Sequence, residues 1–261
     1  MERKYDLELL RKLAETPEKT SFHDTEVILK KIPDCDEPGS MDPRVFEASK
    51  GMLRLARLVP KPLMKTNLSP EGLVKLREVF DEVKGIPITV EPIDDFHTHV
   101  KAGDGYEIPI RIYTTKTMGQ DLPVLYYIHG GGFFGGHPGV VEESVKLIVE
   151  KFDIPVVSVD YRLAPEYLYP TGHNDCLAVY QWITENAASF HGDKDKIFVS
   201  GDSAGGNLAQ YCSTKAYEDH LTPVKGQLLL YTTLNMAAVE DEYFHWSLDQ
   251  YEMSRKHKAY I

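Results

Sequence analysis

Apolar residues along this chain change their spacing near Gly85. Before that point they recur at helical intervals between polar, proline-rich connectors. Asp6 to Glu15 predicts a short helix. Asp42-Pro43 reads as an N-cap with proline at the first helical position, followed by Val45, Phe46, Met52, Leu53 and Ala56. Ser69-Pro70 repeats the device ahead of Leu73, Leu76, Phe80 and Val83, which share one helix face. Residues 1–85 are therefore expected to form a small helical N-terminal cap region, and residues 86–261 the core.

After Gly85 the pattern becomes one of strands alternating with helices. Ile88–Val100 and Tyr106–Tyr113 read as strands joined by a turn at Gly103-Asp104-Gly105. Pro123–Ile128 is a continuous apolar run, as in a strand buried on both faces. Then follow a helix (Val140–Phe152), a strand (Ile154–Val159), a helix (Asp175–Ala188), a strand (Lys196–Ser200), a helix (Ala204–Tyr217) and a strand (Gly226–Tyr231). This alternation predicts an α/β fold with a mostly parallel central sheet and helices on both faces.

Composition narrows the picture. At 261 residues with 42% apolar content the chain can bury one large α/β core. A net charge of −11, without long blocks of like charge, argues against nucleic acid or an anionic membrane as partner. Cys35, Cys176 and Cys212 are odd in number and far apart, which suggests neither a disulfide framework nor a zinc site. Cys176 and Cys212 read as inert core thiols. The charged start Met1-Glu2-Arg3-Lys4 has no apolar signal-peptide region, and the apolar run Val124–Ile128 is too short to span a bilayer. A cytoplasmic protein is expected.

The chemistry is concentrated at two strand ends. Gly201-Asp202-Ser203-Ala204-Gly205 follows the run Lys196–Ser200 and opens a helix, the setting of a G-x-S-x-G nucleophile elbow. His129-Gly130-Gly131-Gly132-Phe133 directly follows the strand ending at Ile128. Three consecutive glycines leave backbone N–H groups open to an approaching substrate, as acyl transfer requires where an oxyanion forms. Asp202 is expected to act structurally or electrostatically, because its side chain leaves the elbow on another side from Ser203. His129 is expected to brace the loop. Phe134 and His137 are read either as acyl-pocket lining or as surface residues.

Together, His129-Gly-Gly-Gly and Gly201-Asp-Ser-Ala-Gly-Gly-Asn207 resemble the hormone-sensitive-lipase-like carboxylesterases of the α/β-hydrolase superfamily. Asp160-Tyr161-Arg162-Leu163-Ala164-Pro165-Glu166 is similar to a segment of that family and is read as a structural turn near the site. The resemblance covers residues 40 to 235. It implies Ser203 as nucleophile, with an oxyanion hole from the amides of Gly131, Gly132 and Ala204. The implied reaction is hydrolysis of a small-molecule, short-chain carboxylic ester through an acyl-serine intermediate, which requires neither metal nor organic cofactor.

The pattern breaks after Tyr231. In this fold the acid and then the histidine follow the nucleophile. Two further strands with their helices need on the order of 60 residues, whereas the stretch from Val239 to Ile261 reads as polar and non-strand. The triad acid and base are unassigned and fall, on this expectation, beyond the C-terminus. His245, with Asp241, Glu242 or Asp249, is a substitute base to be weighed against an ordinary loop histidine, and His257 is expected to be exposed. Two rivals stay open: a catalytically silent fragment or pseudoenzyme binding acyl ligands or partners, and a second chain supplying acid and base. An uncovered edge at Gly226–Tyr231 would invite self-association.

Overall fold

The computed structural model describes Glu8 and Arg11 (both helical) and residues 17–22, 25–30, 69–81 and 87–234. The helix expected after Asp42-Pro43, most of that expected over Asp6–Glu15, and the segment holding His245 and His257 lie outside these residues. Within the region expected to be helical, β1 (Pro17–Phe22) and β2 (Thr25–Lys30) form an antiparallel hairpin, with Lys19 paired to Glu26 at 2.8 Å. The run Thr25-Glu-Val-Ile-Leu-Lys30 carries β-branched residues at Thr25, Val27 and Ile28 that suit a strand once a partner lies alongside. A reading by helical spacing misses that pairing.

The compact unit carrying the sheet includes residues 68–236. Its first element is α1 (Pro70–Asp81), which starts as the sequence predicts: the Ser69 hydroxyl accepts from the Gly72 amide at 3.2 Å. Strands follow at β3 (Asp94–Lys101), β4 (Glu107–Thr114), β5 (Leu122–Ile128), β6 (Val156–Val159), β7 (Gly192–Asp202) and β8 (Gly226–Leu230). They form a six-stranded sheet in the order β3-β4-β6-β5-β7-β8. β6, β5, β7 and β8 run parallel, while β3 and β4 are antiparallel additions at one side. Three helices follow strands: α2 (Pro138–Phe152), α3 (Thr171–Asn186) and α4 (Ala204–Glu218).

One predicted strand is shorter than its sequence suggests. Ile88–Val100 becomes β3 only from Asp94. The preceding amides of Ile88 and Val90 bond instead to Glu143 and Glu150 side chains of α2, at 3.0 and 2.6 Å. Side-chain acceptors thus replace a neighbouring strand there, and Pro87 and Pro92 bring no N–H to a ladder.

Alternation along β5 explains the two-sided core. Val124, Tyr126 and Ile128 face a cluster that includes Cys176, Val179 and Ile183 of α3 and Leu208, Ala209 and Cys212 of α4. Leu125 and Tyr127 face the opposite layer with Val145 and Val149 of α2. Both cysteines are fully buried, and burial raises their thiol pKa values. Among the described residues β8 is the outer strand, and its Leu228 and the following Tyr231 are exposed. No described helix is long and apolar enough to cross a membrane.

The segment after β6 is anchored by a buried ion pair. Arg162 donates to Asp175 of α3 from Nη2 at 2.6 Å and Nε at 2.9 Å, and its backbone amide bonds the same carboxylate at 3.0 Å. Their side chains are 8% and 0% exposed, and Arg162 Nη1 also donates to the exposed Asp104 at 2.6 Å, so removing Asp175 leaves the buried guanidinium with that exposed carboxylate as its remaining ion-pair partner. Asp175→Ala is expected to destabilise the fold by about 3–5 kcal/mol, read as a lower urea midpoint at an unchanged slope. A loss below about 1 kcal/mol, the range of an exposed pair, would show that the pair is solvated.

Candidate active site

The elbow is a meeting of backbones. β7 ends at Asp202 and α4 begins at Ala204, so one residue must reverse the chain. Ser203 does so at φ 53°, ψ −117°, a conformation that side-chain-bearing residues seldom adopt. Its amide bonds the Leu230 carbonyl at 2.9 Å, and its side chain remains partly accessible. A Cβ on Gly205 would collide with the Ile128 and His129 carbonyls, so only glycine lets α4 start this close to the end of β5.

The glycine loop lies directly beside this turn. Ile128 is in register with Gly201 across β5 and β7. Asp202 joins the two: its Oδ1 accepts from the Gly130 amide at 3.0 Å and from the Tyr127 hydroxyl at 3.1 Å. Burial, then the Asp202 charge, pushes the Tyr127 phenol well up, so it stays protonated and donates. Gly131 adopts φ +124° and Gly132 φ +63°, and the Gly131 carbonyl accepts from the amides of Phe134 and Gly135. This tight turn leaves the Gly131 and Gly132 amides without an acceptor among the described residues. Ala204 is the first residue of α4, where a helix amide has no intrahelical acceptor. The folded chain thus brings Ser203, Gly131, Gly132 and Ala204 into one neighbourhood.

His129 is fully buried and stacks on Tyr161, ring centroids 4.4 Å apart. Its Nδ1 lies 2.7 Å from the Gly130 carbonyl, and Tyr161 donates from its hydroxyl to the His129 carbonyl at 3.0 Å. Nε2 has no partner among the described residues. Burial pushes the imidazole down to about 4. His129 is thus a neutral brace.

A family model described as the α/β hydrolase fold matches residues 125–259. The chain belongs to the α/β-hydrolase family. Its relatives place it on the hormone-sensitive-lipase-like carboxylesterase branch. It is 41% identical over 127 residues to carboxylesterase NlhH of Mycobacterium tuberculosis, a match covering 49% of this chain and 40% of that protein. Among solved structures it resembles EstE1, a thermostable carboxylesterase from a metagenomic library, with 34% identity and a TM-score of 0.58 over 68% of this chain and 60% of that one. An esterase from the archaeon Pyrobaculum calidifontis gives 27% identity and a TM-score of 0.62, covering 77% and 62%. The chain spans less than half the length of the curated relatives it matches.

Two features of the site are not legible in the sequence. Arg77 of α1 donates from Nε to the Phe134 carbonyl at 2.6 Å and from Nη2 to the Ala164 carbonyl at 2.7 Å, and also pairs with Glu166. Asp81 accepts from the Gly136 amide at 3.1 Å. α1 therefore holds the far side of the glycine loop. The second feature is a cavity of about 480 Å³ beside the elbow, lined by residues that include Phe133, Tyr169, His173, Asn207 and Tyr211. Aromatic residues at Tyr161, Tyr167, Tyr169 and Tyr211 were visible signals, but they stand on different elements and only the fold gathers them.

Phe133, not Phe134 or His137, contributes to this cavity. His137 caps α2 instead, its Nδ1 accepting from the Gly139 amide at 3.0 Å. Among the described residues no histidine is hydrogen-bonded to the Ser203 hydroxyl; His173 Nε2 lies against Asn207 Oδ1 at 3.4 Å.

The His129 value implies a pH-dependent stability. In the unfolded chain the imidazole takes up a proton near pH 6.5, and in the fold only near 4. Stability is therefore full above about pH 6.5 and falls as pH drops towards about 4, by on the order of 3 kcal/mol from this group. Urea unfolding of wild type and His129→Phe at pH 7 and pH 4.5 isolates it, since carboxylate contributions are common to both. The wild type should lose more stability on acidification; equal losses would show that His129 is not buried neutral.

Proposed function

We propose that this protein hydrolyses short-chain carboxylic esters through an acyl-serine intermediate on Ser203. The observation that carries the reading is the strained Ser203 elbow tied by Asp202 to a glycine loop whose amides are unengaged. Ser203 Oγ attacks the ester carbonyl carbon, and the carbonyl π electrons move onto oxygen. The amides of Gly131, Gly132 and Ala204 donate hydrogen bonds to that oxyanion, aided by the N-terminal dipole of α4. Collapse expels the alcohol and leaves the acyl-serine, which water then cleaves.

The step needs an acceptor for the serine proton and a donor for the leaving alkoxide. Neither is hydrogen-bonded to Ser203 among the described residues. His245, outside them and in the aromatic run Tyr243-Phe244-His245-Trp246, is the candidate to test first.

Ser203→Ala is expected to abolish turnover of p-nitrophenyl acetate or butyrate, and a reactive alkylphosphonate should add its mass to the peptide containing Ser203. Where a full triad operates, loss of the serine costs about 10⁶ in turnover. A Ser203 lacking its base should give slow turnover with little dependence on a group titrating near pH 7. Robust turnover lost in both Ser203→Ala and His245→Ala would assign the base to His245. Turnover unchanged by Ser203→Ala, or phosphonate found elsewhere, would overturn the proposal.

A further inference from the structure

The cavity beside the elbow has walls of an unusual kind. Its position is fixed by two residues next to the candidate chemistry. Phe133 follows Gly132 in the loop, and Asn207 lies one helical turn beyond Ser203, its amide 3.4 Å from the Ser203 carbonyl. Its surface is dominated by rings. His173 lies nearly parallel to Phe133, at 18° with centroids 5.8 Å apart. It meets Tyr169 and Tyr211 edge-on, at 4.9 and 5.1 Å.

The His173 ring is held in place by polar contacts as well as packing. Asn207 donates from Nδ2 to the Thr233 carbonyl at 2.9 Å, which orients its amide and turns Oδ1 towards His173. His173 Nε2, at 3.4 Å, therefore carries the hydrogen. Burial lowers the imidazole pKa, which keeps the ring neutral at neutral pH and suited to stacking. A locked ring loses little entropy when a ligand arrives.

We propose that this cavity is a subsite for a planar aromatic group of the ester, with His173 as its specificity-determining wall. The inference rests on the esterase reading for its substrate and adds the class of group bound. Aromatic pairs in offset or edge-to-face geometry gain about 0.5–1.5 kcal/mol beyond area burial, which a flexible alkyl chain cannot collect. An engineered apolar cavity of about 150 Å³ suffices for benzene. The 480 Å³ available here accommodates a fused bicyclic ring together with a linker to the reacting carbonyl.

Equilibrium binding of 2-naphthol and 1-octanol to wild type and to Ser203→Ala tests the site without turnover. The expected result is binding of 2-naphthol about tenfold tighter than 1-octanol, unaffected by Ser203→Ala. His173→Ala should remove that preference, and His173→Phe, which restores a ring, should retain it. Tyr211→Ala gives a second test if His173→Ala does not fold, and it too should reduce the preference. Equal binding of the two probes, no binding of either, or a preference unmoved by both alanine variants overturns the proposal. Selective naphthol binding without Ser203-dependent hydrolysis of 2-naphthyl acetate would leave the aromatic site standing and overturn the esterase reading. Hydrolysis without aromatic preference would do the reverse.

Discussion

The structure of the site depends on one close approach, that of the start of α4 to the end of β5. The helix can abut the Ile128 and His129 carbonyls only because Gly205 has no side chain. That proximity forces the chain to turn within a single residue, and Ser203 takes the resulting strained conformation. Backbone strain of this kind costs on the order of 1–3 kcal/mol and persists only where its surroundings over-determine it. Here they do: β7 is paired on both sides, the Ser203 amide bonds Leu230, and α4 packs Leu208, Ala209 and Cys212 into the core.

From that contact the rest of the site is assembled in layers. Asp202 faces the strand end beside the elbow and bonds Gly130 and Tyr127, so elbow and glycine loop cannot separate without breaking a hydrogen bond to a half-buried carboxylate. Tyr161 and His129 brace the loop from the adjacent strand end. Arg77 spans two loop carbonyls and a carboxylate from α1, using the fixed fork of a guanidinium that lysine could not reproduce. Arg162 and Asp175 do the same for the segment that walls the aromatic cavity.

Burial also sets the charge state around the elbow. His129 is held neutral, and the phenols of Tyr127, Tyr126 and Tyr161 stay protonated, each principally through desolvation. The Asp202 carboxylate is the charged exception beside the elbow, and its Oδ1 is engaged by the Gly130 amide and the Tyr127 hydroxyl.

The sequence by itself determined the α/β alternation, most strand and helix positions after Gly103, and the two motifs at strand ends. These are local signals: an apolar run, a proline after a capping serine, glycines where a chain must turn. It did not show the β1–β2 hairpin, because strand pairing is a property of two segments and each alone has an ambiguous pattern. It extended β3 too far, because side chains of α2 take the amides that a neighbouring strand would otherwise bond. Arg77 as a clamp and His173 in an aromatic enclosure were decided only by tertiary structure, whereas the His137 cap is a local contact with Gly139, two residues on, ahead of Pro138. Arg77 and His173 meet partners on other elements, at separations that no spacing rule records.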